Sequence, residues 1–132
     1  MRFGAARVYN SLVTELDDGE IVIISAPISA QRLSEIADRR FGDMVKAVVD
    51  TERRVVALGG ELHSDEELAL IEQGSEQVNL WGINIHPDKP RSEWVEFDSL
   101  INIRPRLGNR SRSVEDAAIR ILICEIVDSL VR

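Results

Sequence analysis

The chain lacks several features that mark specialised classes of protein. Its 132 residues contain one cysteine, Cys124, so no internal disulfide can form and a reducing compartment suits the composition. No apolar run reaches the roughly 18–20 residues that span a bilayer. Residues 1–10 carry charge without the apolar centre of a signal peptide. The sequence therefore predicts a cytoplasmic protein that neither crosses nor binds a membrane.

Basic residues are outnumbered by acidic ones. The chain has 16 lysines and arginines against 23 aspartates and glutamates, which gives a net charge of −7. This charge opposes nonspecific binding of nucleic acid through the whole surface, so nucleic acid is disfavoured as a partner. A hydrophobic content of 44% and a length of 132 residues are typical of one globular domain with a core of its own.

Short motifs of common active sites are also missing. The chain has no H-E-x-x-H or paired CxxC, no phosphate-binding G-x-x-x-x-G-K-[ST], no G-x-G-x-x-G and no G-x-S-x-G. Cys124 lies among aliphatic residues and is predicted to be in the core. No metal site is predicted, and the sequence leaves both a cofactor and a reaction open.

Apolar periodicity predicts one α+β domain over residues 21–132. The order is (α)βαββαββα, with about five mostly antiparallel strands packed against three main helices. An extension, residues 1–20, has the spacing of a short amphipathic helix from 8 to 16. The predicted strands are 21–25, 44–49, 54–58, 79–86 and 93–104. The predicted helices are 29–41, 64–73 and 114–131, with Ser64 and Glu67 as a capping box and Ser113 as the last cap.

The second predicted hairpin carries polar side chains on one face. Alternation places its aromatic and aliphatic residues towards the core. The opposite face carries Asn84, His86, Glu96, Asp98, Asn102 and Arg104. A register that pairs Asn84 with Glu96 puts Gly82 opposite Asp98, where a ligand could approach the backbone. The alternative is an ordinary solvated face of an antiparallel sheet.

An arginine loop follows this hairpin. Arg104, Arg106, Arg110 and Arg112 fall within nine residues that contain no acid. Guanidinium groups, the Gly108–Asn109 turn and a following helix start are typical of an oxyanion site. The predicted ligand-binding residues are Asn84, Asn102, Arg104, Asn109, Arg110, Ser111 and Arg112. They favour a small phosphorylated or nucleotide-like anion as the ligand. Alternatively, the loop forms salt bridges with the acidic segment 61–76.

The strand-to-helix turn at 61–65 is the second candidate for chemistry. Glu61, His63 and Asp98 are the predicted catalytic residues, because a carboxylate can orient an imidazole for proton transfer. The acids at 65–67 have another explanation, since a helix dipole favours acids in the first turn.

The last predicted helix is apolar around most of its circumference. Such a helix is either enclosed by its own core or shared with a partner chain, so a homo-oligomer is predicted. The alternative to a ligand-binding protein is therefore a non-catalytic interaction module in which the arginines are structural.

Several blocks of the chain resemble a family of small bacterial proteins known only as a domain of unknown function. The blocks are Phe41 to Asp50, Gly59 to His63, Leu80 to Asn84 and Glu96 to Arg112. The resemblance covers about residues 21–132 and leaves 1–20 outside the usual start of the family. It implies a small standalone cytosolic protein and brings no activity, cofactor or catalytic residue. His86 stands where the family pattern would have tyrosine, which places it below His63 as a candidate.

Overall fold

The computed structural model describes residues 7–9 and 21–132, and its centre is a six-stranded sheet. The strands are β1 Arg7–Tyr9, β2 Val22–Ile24, β3 Val45–Asp50, β4 Val55–Leu58, β5 Leu80–Ile85 and β6 Val95–Glu96. Their order across the sheet is β1-β2-β4-β3-β5-β6. β1 runs parallel to β2, and every other neighbouring pair is antiparallel.

Three helices cover the two faces of this sheet. They are α1 Ala30–Asp38, α2 His63–Glu72 and α3 Ala117–Leu130. α1 and α3 bury Leu33, Ile126 and their neighbours against the inward side chains of β2 to β5. α2 closes the other face, where Leu70 packs against Ile23 and Val48 in a smaller core. The α+β class and the element order from residue 21 onwards are confirmed.

The amino-terminal prediction lies mostly outside the described residues. Within 1–20 the structure describes only 7–9, which form strand β1, so the helix proposed for 8–16 stays a prediction. In the part of the chain that is described, no helix is both long and apolar enough to cross a membrane.

Two predicted helix caps are wrong. α2 starts at His63, one residue earlier than expected, and no side chain caps it. The carboxyl of Glu67 turns towards Arg104 at 3.6 Å, while Glu66 accepts the Gly60 N–H at 2.9 Å, so the capping box does not form. α3 is capped by Asp116, whose carboxylate accepts the N–H groups of the second and third helical residues.

The predicted strand 93–104 is also wrong, because β6 ends at Glu96. The chain then folds back, and the Asn102 side chain pairs with the Gly82 peptide. Asn102 Oδ1 accepts the Gly82 N–H at 2.8 Å, and its Nδ2 donates to the Gly82 carbonyl at 2.9 Å. A side-chain amide thus takes the place of a neighbouring strand.

The space beside Gly82 is filled by the protein itself. A Cβ atom at Gly82 would lie 2.5 Å from both Cβ and Oγ of Ser99. The expectation that a ligand approaches the backbone here is therefore wrong. A glycine is required at this position because residues 99–102 pack directly on β5.

Removing the Asn102 amide should destabilise the fold strongly. Asn102 is fully buried, and Asn102→Ala would leave both Gly82 groups without partners. The Arg112 carbonyl would keep only the Ser99 N–H. We expect the free energy of unfolding in urea to fall by about 2 kcal/mol or more. Gln73→Ala, at an exposed residue that caps α2 through its backbone alone, is the matched control. A loss as small as that of the control would contradict this account of the loop.

Candidate functional site

Three polar residues lie side by side across the face of the sheet that α2 partly covers. The strand register pairs Lys46 of β3 with Asn84 of β5, and Asn84 with Glu96 of β6. We call Lys46, Asn84 and Glu96 the polar row. Its neighbours along each strand point into the main core, so strand alternation places all three on the α2 side.

The Asn84 amide is buried and has only half of its hydrogen-bonding capacity in use. Asn84 is 6% exposed. Its Nδ2 donates to Glu96 Oε1 at 3.0 Å and to the Asp98 carbonyl at 3.2 Å. Its Oδ1 is buried and accepts no hydrogen bond from the described residues. The row therefore contains a buried acceptor without a donor.

His63, the first residue of α2, supplies a second acceptor beside the row. The ring is 8% exposed, and Nε2 lies 2.7 Å from the carbonyl oxygen of Ile83. Because a carbonyl only accepts, Nε2 carries the proton and Nδ1 of the neutral ring is bare. Burial lowers the pKa of His63, against the Ile83 hydrogen bond, which raises it. Lys46 and Arg112 lower this pKa further, and Asp98 raises it.

Lys46 supplies a positive charge without an acidic partner. It is partly buried, and its Nζ lies 5.7 Å from the centroid of the Phe41 ring. No carboxylate among the described residues forms an ion pair with it. Its charge nevertheless shifts the pKa of both His63 and Glu66, so the ammonium is close to both. An anion could therefore bind here without displacing a carboxylate.

The carboxylates near the row are already paired. Glu96 Oε1 lies 3.1 Å from His86 Nε2, and the hydrogen bonds from His86 and Asn84 hold the pKa of Glu96 below its usual value. Asp98 Oδ1 accepts from Arg112 Nε at 2.5 Å. The Arg112 side chain is 54% exposed, and no described residue binds its two terminal nitrogens. Arg112 can thus reach solvent or a ligand while it stays attached to Asp98.

Glu66 lies beneath the start of α2 and is fully buried. Its Oε2 accepts the Gly60 N–H, while Oε1 has no partner among the described residues. Burial raises the pKa of Glu66 well above its usual value, and the Gly60 hydrogen bond and Lys46 oppose that shift. The carboxyl is neutral over a wider pH range than an exposed glutamate.

Four of the residues chosen from the sequence meet at this place: His63, Asn84, Asp98 and Arg112. Three others are used inside the arginine loop. Arg104 donates to the carbonyls of Ile101, Gln77 and Leu80, and its Nη2 lies 3.6 Å from Glu67. Asn102 and Asn109 are buried, and their amides bind backbone groups of the loop.

The cluster of free N–H groups expected at Gly108–Asn109 does not form, because these groups donate to the carbonyls of Pro105 and Arg104. The next two N–H groups converge instead, and the chain's own carboxylate binds them. Glu115 Oε2 accepts the N–H groups of Arg110 at 2.8 Å and Ser111 at 2.9 Å. These hydrogen bonds and that of the Ser111 side chain lower the pKa of Glu115. Glu61 points elsewhere, with Oε1 3.6 Å from Arg40 Nη1 and its side chain 72% exposed.

The sequence reading missed Lys46 and Glu66. Lys46 interrupts an otherwise apolar strand, and it is one of only two lysines in the chain beside fourteen arginines. That interruption was a usable signal. Glu66 looked like an ordinary first-turn acid, and only the close packing of Gly60 on its side chain reveals its burial.

No metal-binding group is found within the described residues. No cluster of three or more histidine, cysteine, aspartate or glutamate side chains is arranged to hold an ion there. The arrangement instead offers two bare acceptors, a neutral imidazole and two cationic side chains, which suits hydrogen bonding and proton transfer.

These features define an α+β protein with a partly buried polar site at one end of its sheet. The chain belongs to the family described as "Protein of unknown function (DUF5674)", whose model matches residues 22–130. No curated protein and no solved structure matches it.

The low pKa of His63 should make stability depend on pH. Because its folded pKa lies below the unfolded value of about 6.5, its contribution to the free energy of unfolding is complete above that pH and falls below it. His63→Gln keeps a donor for Ile83 and removes this titration. Urea unfolding at pH 7.5 and pH 5 should show a larger loss for wild type than for the variant. Equal losses would contradict a buried, neutral ring.

Glu66 should act in the opposite direction. Its raised folded pKa makes its contribution complete below about pH 4.5 and lost as the pH rises towards the folded value. We expect Glu66→Gln to be more stable relative to wild type at pH 8 than at pH 5. Glu72→Gln, at an exposed position of α2, should show no such trend. If both variants behave alike, the pKa of Glu66 is not raised in the folded protein.

Proposed function

We propose that this protein binds a small phosphorylated or nucleotide-like anion beside the polar row, with Lys46 and Arg112 as its cationic ligands. The observation that carries the proposal is Lys46, a partly buried residue whose ammonium has no acidic partner among the described residues. A cation that is partly removed from water gains from a partner of opposite charge, and a ligand anion would supply it.

His63 gives this site a capacity for proton transfer. Its bare Nδ1 can accept a proton from a bound ligand, and Nε2 is held by Ile83. Burial is the main cause of the low pKa of the free ring, and Lys46 and Arg112 lower it further. A bound anion would offset these two charges and raise the pKa. Binding and proton uptake at His63 would therefore be linked. Asp98, which is paired with Arg112, positions that guanidinium in this proposal.

Only one arginine of the loop serves the proposed site. Arg104 is engaged by three carbonyl groups, and the N–H groups near Arg110 are bound by Glu115. The contacts of Arg104 with carbonyl groups support a structural role for this residue. The Glu115 carboxylate would compete with any anion that approached Ser111. In this proposal Arg112 is therefore the arginine of the loop that binds the anion.

A non-catalytic interaction module is the alternative function. It is favoured by the exposed aliphatic side chains Leu100, Ile103 and Leu107, which are 67%, 41% and 46% exposed. α3 supports it less, because Ile123, Ile126 and Val127 are used in the chain's own core, although Ile121 is 61% exposed. Homo-oligomerisation and a cytoplasmic location stay predictions. Light scattering at micromolar concentration tests the homo-oligomeric form of this module, since that form requires a species larger than a monomer.

Anion binding should depend on Lys46 and Arg112 and be insensitive to Arg110. Calorimetric titration with inorganic phosphate, ribose 5-phosphate and AMP would measure the dissociation constant. Lys46→Met and Arg112→Met should each weaken binding at least about tenfold, because each removes a charge-assisted hydrogen bond.

Arg110→Met is the matched control, since it removes an exposed arginine of the same loop. Melting curves without ligand establish that each variant is folded. Binding that falls with Arg110→Met and survives Lys46→Met would place the anion on the loop and overturn the proposed site. Absence of binding by all three probes would overturn the function itself.

A further inference from the structure

We propose that the ligand of this site carries a hydroxyl or amino hydrogen-bond donor next to its anionic group, and that Asn84 Oδ1 accepts from it. The inference rests on the proposed function and names the class of ligand. An anion without a hydrogen-bond donor would satisfy Lys46 and leave the rest of the site unpaired.

The orientation of the Asn84 amide is fixed by its neighbours. Both partners of Nδ2 are acceptors, namely Glu96 Oε1 and the Asp98 carbonyl. A flipped amide would bring Oδ1 against these two oxygens, which repel it. Both hydrogens of the amide are thus consumed on the β6 side, and Oδ1 points away from β6.

No described residue supplies the missing donor. Asn84 is 6% exposed and Oδ1 is buried, yet no N–H or O–H of the described residues bonds to it. Buried polar oxygens in folded proteins nearly always have a partner, so an unpaired one at a candidate site indicates an external donor.

The second bare acceptor strengthens this assignment. His63 Nδ1 cannot donate while Nε2–H is held by the Ile83 carbonyl and burial keeps the ring neutral. The site therefore offers two acceptors and two cations, Lys46 and Arg112. A polyanion without hydrogens matches only the cations. A phosphorylated alcohol or amine matches both kinds of group.

Three probes of similar size separate a donor from a mere oxygen atom. All three carry a phosphate group. 2-Hydroxyethyl phosphate adds a hydroxyl donor, 2-methoxyethyl phosphate adds an ether oxygen without a donor, and ethyl phosphate has no second oxygen. Calorimetry on the wild-type full chain should show 2-hydroxyethyl phosphate binding about ten- to a hundredfold more tightly than the other two. 2-Aminoethyl phosphate should share this advantage.

The variant Asn84→Ala tests whether Asn84 causes the preference for a ligand with a hydrogen-bond donor. In this variant the three affinities should converge, while binding of the phosphate group itself survives through Lys46 and Arg112. Should Asn84→Ala fail to fold, the wild-type ranking still decides. Equal binding of all three probes by wild type would overturn the inference and leave the proposed anion site standing. A preference for the donor that persists in a folded Asn84→Ala would assign it to another residue and overturn the inference. Absence of binding by every probe would overturn both.

Discussion

The pairing of the Asn102 side chain with the Gly82 peptide is the contact on which the rest of the site depends. It supplies β5 with hydrogen bonds where β6 has ended, so the chain can leave the sheet after Glu96 and cross its face. The same amide donates to the Arg112 carbonyl, which fixes the arginine loop against the strand. Ser99 packs on Gly82 without space for a Cβ, and this contact also holds the loop in its position against β5.

That position brings charge to a partly buried place. Arg112 donates to the Asp98 carboxylate, and the Asp98 carbonyl accepts from Asn84. Asn84 lies between Lys46 and Glu96 in the sheet. The start of α2 sets His63 over the same strand. Burial lowers the pKa of His63 and raises that of Glu66, whereas hydrogen bonds from His86 and Asn84 lower the pKa of Glu96. A polar site with unpaired capacity is the result, and the proposed ligand would complete it.

Local patterns in the sequence predicted most of the architecture. The apolar runs at β2, β3 and β4 and the start of α1 after Ser29 follow from periodicity and capping. The predicted end of that helix at Phe41 is wrong, because α1 ends at Asp38. The path after Glu96 could not be predicted, because Phe97, Ile101 and Ile103 continue a strand-like alternation and only a tertiary contact with Gly82 interrupts it. The spacing of the arginines indicates a cluster of positive charge. It does not reveal that backbone carbonyls bind Arg104 or that Glu115 binds the N–H groups of the loop. Lys46 is not predicted as a site residue, because a single lysine in a strand has the pattern of a solvated residue until its neighbours are known.

The most direct test of the account is a nitrogen-15 NMR titration of the two histidine rings with 2-hydroxyethyl phosphate at neutral pH. We expect free His63 to be neutral, with a protonated Nε2 and an unprotonated Nδ1, and we expect the ligand to shift the Nδ1 resonance far more than either nitrogen of His86. A His63 ring that is protonated at neutral pH, or that does not respond while backbone amides near Arg110 do, would contradict the central claim that the ligand binds between Lys46, Asn84 and His63.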